Sequence, residues 1–356
     1  MDTSPRRNRR DTSASRATVD VARNGRIIGS AVAVSAMLMV GGAATATPAA
    51  GALPTCHGKA ATIVGTRHAD RIIGTPRGDV IVARAGSDRV IGRGGADLIC
   101  GGSGNDQLDA GNGTDHLFGG PGSDVLRDTT GSSVDQLRGG PGADLLRSRG
   151  NIYGSTTRTL VGGAGADRIV SSGDGDRLRG RAGDDHLVAR DLYEGRPLSM
   201  TGNQGQDIVR VPSSGGRVRL RGDGDSVRVD FAADTFVRLS YFHAAGPVMV
   251  DLRAGYGQVV GSTVKDHFIG LTDQPDSLLV VKGTNGDDIL LGTDFTGTTD
   301  VFDGRRGDDQ LRGRDGADSL FGRPGDDLLD GGAGSDTGSG GSGADTCIDV
   351  EDVLGC

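Results

Sequence analysis

The chain has 356 residues, 64 of them glycine, while aromatic residues make up 3% and tryptophan is absent, so a core built on large side chains is excluded. No strict glycine triplet runs through it, which excludes a collagen triple helix. The net charge is −8, and the first 46 residues hold seven Arg against three Asp; the remainder is more acidic still and is not expected to seek nucleic acid or anionic lipid. Its acid is nearly all aspartate, Glu194 and Glu351 being the only glutamates, a bias toward short carboxylates in loops.

In chain order, Arg6, Arg7, Arg9, Arg10, Arg16, Arg23 and Arg26 precede an apolar stretch from Ile27 to Val40, and Ala44-Thr45-Ala46 and Ala50-Gly51-Ala52 follow. Basic, apolar and small-residue segments in that order read as a secretory signal over residues 1–46, cleaved after Ala46, with a short linker at 47–57. The expected product is secreted and extracellular, starts near Thr47 and does not insert into a membrane; an uncleaved anchor over Ile27–Ala46 is the alternative. Four cysteines, Cys56, Cys100, Cys347 and Cys356, suit an oxidising space and allow three pairings. Position favours Cys56 with Cys100 and Cys347 with Cys356, and the absence of C-x-x-C argues against zinc.

From residue 58 onward a nine-residue repeat takes over. Asp70, Asp79, Asp88, Asp97, Asp106, Asp115 and Asp124 are spaced by nine; Asp135 and Asp144 follow after a slip, then Asp167, Asp176 and Asp185, with Asp207 and Asp225 isolated. A C-terminal set comprises Asp288, Asp300, Asp309, Asp318, Asp327, Asp336 and Asp345. The clearest hexads are Gly101 to Asp106, Gly119 to Asp124, Gly139 to Asp144, Gly162 to Asp167, Gly331 to Asp336 and Gly340 to Asp345, and an aliphatic sits two residues after most of the aspartates. The unit G-G-x-G-x-D-x-U-x predicts a glycine turn followed by a short strand with one inward side chain. Two units make one flattened coil, and coils stack in parallel.

Stacking lines the aspartates up in mutually repelling columns, which calls for a cation. Carboxylates and main-chain carbonyls without nitrogen or sulfur ligands form a hard-oxygen set suited to Ca²⁺ rather than Mg²⁺.

The repeat resembles the RTX, or haemolysin-type, calcium-binding nonapeptide. That resemblance implies an all-β fold, a right-handed parallel β-roll or β-helix solenoid of nine-residue repeats with bound calcium, in which the turns of repeats n and n+2 jointly hold one Ca²⁺. The implied ligands are Asp88, Asp97, Asp106, Asp115, Asp124, Asp135, Asp144, Asp167, Asp176, Asp185, Asp288, Asp300, Asp309, Asp318, Asp327, Asp336 and Asp345. Asp70 and Asp79 lack the glycine at the fourth hexad position and are expected to cap the roll instead.

The expected layout is an N-terminal calcium-binding roll over 58–147, a degenerate β-solenoid segment over 148–282, a C-terminal roll over 283–346 and a disulfide-closed cap over 347–356. In the middle segment Val227–Phe231, Phe236–Leu239 and Val248–Leu252 alternate like strands, and Pro247–Gly255 resembles the β-rich segment that often precedes a roll. Phe231, Phe236, Tyr241, Phe242, Tyr256 and Phe268 are expected to fill the core.

No catalytic constellation is found. H-E-x-x-H is impossible because neither glutamate neighbours a histidine, and no serine has glycine at both flanking second positions. His116 and His186 occupy outward strand positions, and Lys265-Asp266-His267 reads as strand decoration rather than an acid/base group. Two functional classes follow: a secreted, noncatalytic calcium-binding protein with a scaffold, adhesion or matrix role, partnered by cell-surface or extracellular polysaccharide; or a solenoid carbohydrate enzyme, a polysaccharide lyase or epimerase, with its site in 148–282. An N-terminal export signal and a cysteine-closed tail depart from the RTX toxins and argue against membrane lysis.

Overall fold

The computed structural model describes residues 17–19, 53–131, 135–150, 157–172, 175–190, 199–211, 216–219, 225–229, 236–241, 244–260, 262, 265–269 and 277–356. The expected export signal and its cleavage site lie outside the described residues, except that Ala17–Val19 form a strand parallel to Asp70–Ile72 on the first coil. Among the described residues there is no helix, and none long and apolar enough to cross a membrane.

The repeat aspartate, the residue after it and the aliphatic that follows alternate inward, outward and inward, the period a strand imposes. Each coil therefore places one short strand on each of two facing parallel sheets. On the first sheet Asp70–Ile73, Arg89–Ile91, Gln107–Asp109, Val125–Gly131, Leu145–Gly150, Arg168–Ser171 and His186–Ala189 follow one another in register. Ile63–Val64, Val80–Ala85, Leu98–Ser103, His116–Phe118, Gln136–Pro141, Thr159–Ala164 and Arg177–Ala182 do the same on the second. The result is the all-β parallel solenoid that the repeat predicts.

Register stacks like on like, so the core is two aliphatic ladders. Ile72, Val90, Leu108, Leu126, Leu146, Ile169, Leu187 and Val209 form one, and Ile81, Ile99, Leu117, Leu137, Leu160, Leu178 and Met200 the other, all essentially inaccessible. Tyr241 and Phe302 join the same core. Of the other aromatics expected there, Tyr256 is only half-buried, beneath the Lys265 ammonium 3.8 Å from its ring centre. Phe231 and Phe242 lie outside the described residues.

The solenoid continues through the middle segment, with one insertion. Between Phe236–Ser240 and Leu278–Lys282, which are adjacent on the second sheet, the chain adds three strands to the first. Asp266–Ile269 stacks in parallel on Ser226–Val229, Tyr256–Val259 runs antiparallel to it, and Val248–Asp251 turns back antiparallel before receiving Ile289–Leu291 in parallel. A hairpin is thus threaded into the ladder without breaking it.

Both ends are stapled as position favours. Cys56, in the antiparallel hairpin Thr55–Cys56 and Lys59–Ala60, is joined to Cys100 on the second sheet, and Cys347 is joined to Cys356. The first bridge closes a separation of 44 residues, for which the chain-entropy account gives about 4 kcal/mol.

Candidate metal centre

The repeat aspartates form two columns, one along each edge of the flattened coil. On the edge leading into the first sheet, each N–H from Asp70 through Asp88, Asp106, Asp124, Asp144, Asp167, Asp185, Asp207 and Asp225 donates to Oδ1 of the next, ending on Asp266, at 2.7–2.9 Å. Asp79, Asp97, Asp115 and Asp135 form the other column at 2.8 Å. The pattern resumes as Asp288, Asp309, Asp327 and Asp345, and as Asp300, Asp318 and Asp336 with Glu351 receiving the last N–H at 2.7 Å. One carboxylate oxygen of each residue that follows another in its column thus does structural duty in the main-chain ladder.

The other oxygen divides the aspartates into classes. In Asp88, Asp97, Asp106, Asp115, Asp124, Asp144, Asp167, Asp185, Asp309, Asp318, Asp327 and Asp336, Oδ2 is buried with no hydrogen-bond partner. In Asp70, Asp79, Asp288 and Asp300 it accepts the N–H of Thr66, Thr75, Thr284 and Thr293. These four share a Gly-Thr pair at the head of the turn. The capping expected of Asp70 and Asp79 has this geometric counterpart. Asp288, expected to be a ligand, carries the same satisfied carboxylate, whereas Asp300, also expected as one, has its Oδ2 engaged and its Oδ1 buried with no hydrogen-bond partner.

Leaving a carboxylate oxygen dry and unpaired raises its proton affinity. Burial, followed by the charge of neighbouring column members, pushes Asp97 and Asp124 up to about 7 and Asp309 to about 8. Asp88 and Asp115 rise to about 6 for the same leading reason. To be ionised at neutral pH these groups need a positive partner.

The turns supply the rest of a hard-oxygen cradle. At Gly101 a Cβ would overlap the Asp106 carboxylate and come within 2.7 Å of the Gly119 carbonyl of the next coil, so only glycine leaves the space in which those oxygens converge. Among the described residues no three His, Cys, Asp or Glu side chains cluster as a metal site; main-chain carbonyls must complete any coordination sphere. Carboxylate plus carbonyl oxygen in a flexible loop fits Ca²⁺.

The second column is interrupted in the middle segment. Arg158 stands in register with Asp176, its N–H donating to Asp176 Oδ1 at 3.0 Å, so it occupies an aspartate position. Its guanidinium is almost wholly buried, with Nε 2.9 Å from Asp128 Oδ2 and 3.3 Å from Asp135 Oδ2. The Ser171 hydroxyl donates to Asp176 Oδ2. Asp135 and Asp176, both expected as ligands, are therefore engaged by protein groups. Farther along, Val237 and Leu279 align with Asp300, and apolar packing replaces the carboxylates there. On the opposite edge Val248 takes an aspartate position and donates to Asp288 Oδ1 at 2.7 Å. Nearby, burial and the charge of Asp266 push the Tyr241 hydroxyl well above its ordinary range.

Sequence reasoning missed Asp266 as a column member, because the inserted hairpin separates it from Asp225 by 41 residues. Read in the chain it looked like part of a Lys-Asp-His group; the fold turns it inward, fully buried. Asp207 and Asp225, seen as isolated, are also in line. Arg158 carries no repeat signal at all, since it differs in charge from the residue whose place it takes.

A family model described as the RTX calcium-binding nonapeptide repeat, in four copies, matches residues 64–99, 73–108, 94–126, 159–190, 296–329 and 312–347. No curated protein matches the chain. The matched segments include Asp88 to Asp124, Asp167, Asp185 and Asp309 to Asp336, whose Oδ2 atoms are unpaired, but not Asp144.

Proposed function

We propose that this chain, which carries several copies of the RTX calcium-binding nonapeptide repeat, is a secreted solenoid that calcium holds together and that serves as a noncatalytic extracellular scaffold partnered by polysaccharide. The observation that carries the calcium part is the row of buried, unpartnered Oδ2 atoms in Asp88 to Asp124 and Asp309 to Asp336. Asp88, Asp97, Asp106, Asp115 and Asp124, with Asp144, Asp167 and Asp185 beyond them, would hold the ions of the longer block; Asp309, Asp318, Asp327 and Asp336 those of the shorter. Bound calcium supplies the positive charge that these dehydrated carboxylates lack. The residues themselves do the remainder: Oδ1 fixes the register, and glycine keeps the turn open.

Secretion accords with the basic and apolar N-terminal order and with two disulfides in the fold. Calcium titration by circular dichroism and small-angle scattering tests the reading. Compact β-structure is expected on adding calcium but not equimolar magnesium; identical compact spectra in chelator and in about 5–10 mM calcium, well above extracellular-site affinities, overturn it.

A further inference from the structure

The outward face of the second sheet carries an open groove of about 780 Å³ in the middle segment. Its lining comes from five successive strands, Gln136–Pro141, Thr159–Ala164, Arg177–Ala182, Ser199–Gln204 and Gly216–Arg219, the last three supplying its polar groups. Arg179, Thr201 and Arg219 lie in one register row, and Arg181 and Asn203 in the next but one. Gln204 completes the polar lining, and Gly140 and Gly163 line the groove without side chains.

On the C-terminal coils several outward basic groups are matched. Arg312 pairs with Asp330, Arg314 with Asp251, and Arg323 and Lys282 share Asp303, all at 2.6–3.2 Å. Arg179, Arg181 and Arg219 have no carboxylate partner among the described residues, though the chain as a whole is acidic. Arg181 holds φ at 97° and Asn203 at 89°, the left-handed region that L side chains adopt at a cost, as Arg84, Arg93, Arg314 and Arg323 do elsewhere on the solenoid.

Guanidinium groups bind carboxylates and sulfates through paired, charge-assisted hydrogen bonds. Strand stacking sets their repeat along the solenoid axis: Arg179 and Arg219 are two strands apart, about 10 Å. Thr201, Asn203 and Gln204 add hydroxyl and amide groups that suit sugar hydroxyls. The lining has no aromatic ring on which a nucleic-acid base could stack, and no large apolar side chain to insert into a bilayer. We propose that this groove binds a linear acidic polysaccharide, the guanidiniums of Arg179, Arg181 and Arg219 engaging successive anionic groups along one extended chain. This deepens the polysaccharide-partner part of the proposed function and rests on it.

The test uses the full chain in millimolar calcium, with circular dichroism on every sample to establish that the solenoid is folded. Probes are short uronate oligomers, a sulfated oligosaccharide, a neutral glucan oligomer, single-stranded DNA and anionic phospholipid vesicles. Short oligomers limit calcium crosslinking of the sugar itself. Binding of the uronate or the sulfated probe is expected to weaken as salt rises; which of the two binds tighter identifies the anionic group. The combined variant Arg179→Gln, Arg181→Gly, Arg219→Gln should lose about tenfold or more in affinity while keeping the calcium-dependent spectrum, and Arg312→Gln on the other sheet should change nothing. Uronate binding that survives the triple variant overturns the site. Binding of the neutral glucan alone overturns it while leaving a polysaccharide partner in place; binding of none of the sugars by folded protein overturns both. A preference for DNA or vesicles overturns the ligand class.

Discussion

At the scale of single residues, the ladder works by giving aspartates such as Asp106 two unlike oxygens. Oδ1 accepts a main-chain N–H from the preceding coil, as Asp106 does from Asp88 at 2.8 Å, and that bond needs no metal. Its Oδ2 is buried without a partner, and that atom does. Arg158 shows the alternative solution, a guanidinium delivered by the chain itself between Asp128 and Asp135. Arg158→Met should leave two carboxylates buried without their cation and cost about 3–5 kcal/mol, as truncating one partner of a buried ion pair does. Urea unfolding in calcium measures it, and a loss under about 1 kcal/mol would mean that the triad contributes little. A pH effect follows from the same atoms. Carboxylates raised to about 6 in Asp88, 7 in Asp97 and 8 in Asp309 bind protons more tightly in the folded chain than in the unfolded one. Their penalty is absent below the ordinary value of 3.8, grows through that window, and is complete above about 8. In chelator, lowering the pH from 8 to about 5 should therefore increase β-structure and raise the melting temperature, protons substituting in part for calcium. Chelator melts at several pH values check it; a melting temperature that rises with pH contradicts the sign.

At the scale of the turn and its strand, the nonad was legible because each position has a separate physical demand. Glycine at the head admits the Asp106 carboxylate at Gly101, the aspartate joins the ladder, and the aliphatic fills the core. The Gly-Thr variant of the turn was visible in the sequence, but its consequence was not, because the effect lies in one N–H reaching back to the carboxylate. Thr284 donates to Asp288 through both its N–H and its hydroxyl, at 2.6 and 2.9 Å, whereas Asp318 Oδ2 accepts nothing. Asp318→Asn should lower the number of calcium ions bound at saturation, while Asp288→Asn should leave that number unchanged and cost only stability. Metal analysis of dialysed protein distinguishes the two, and equal losses would put Asp288 among the ligands.

At the scale of the whole molecule, the sequence divided the chain into two regular rolls and a degenerate middle, whereas the structure continues one ladder through that middle on one edge only. Asp167, Asp185, Asp207, Asp225 and Asp266 keep the first column running. Opposite them the second column gives way to Arg158 and then to Val237 and Leu279, both nearly inaccessible. That asymmetry was illegible because it depends on which coil edge a residue reaches, and the hairpin at Val248–Val259 shifts the count. It also predicts how calcium dependence is distributed. A solenoid's stability is approximately a sum of coil terms and neighbour interfaces, so removing calcium should weaken coils in proportion to their unpartnered carboxylates. Those from Asp88 to Asp124 and from Asp309 to Asp336 carry them on both edges; coils holding Val237 and Leu279 have apolar packing on one edge instead, which chelator does not touch. Hydrogen exchange in calcium and in chelator should show protection falling most in the two outer blocks and least in strands Phe236–Ser240 and Leu278–Lys282. A uniform loss along the chain would mean that the solenoid melts as one unit and that the apolar edge gives its coils no independence from the metal.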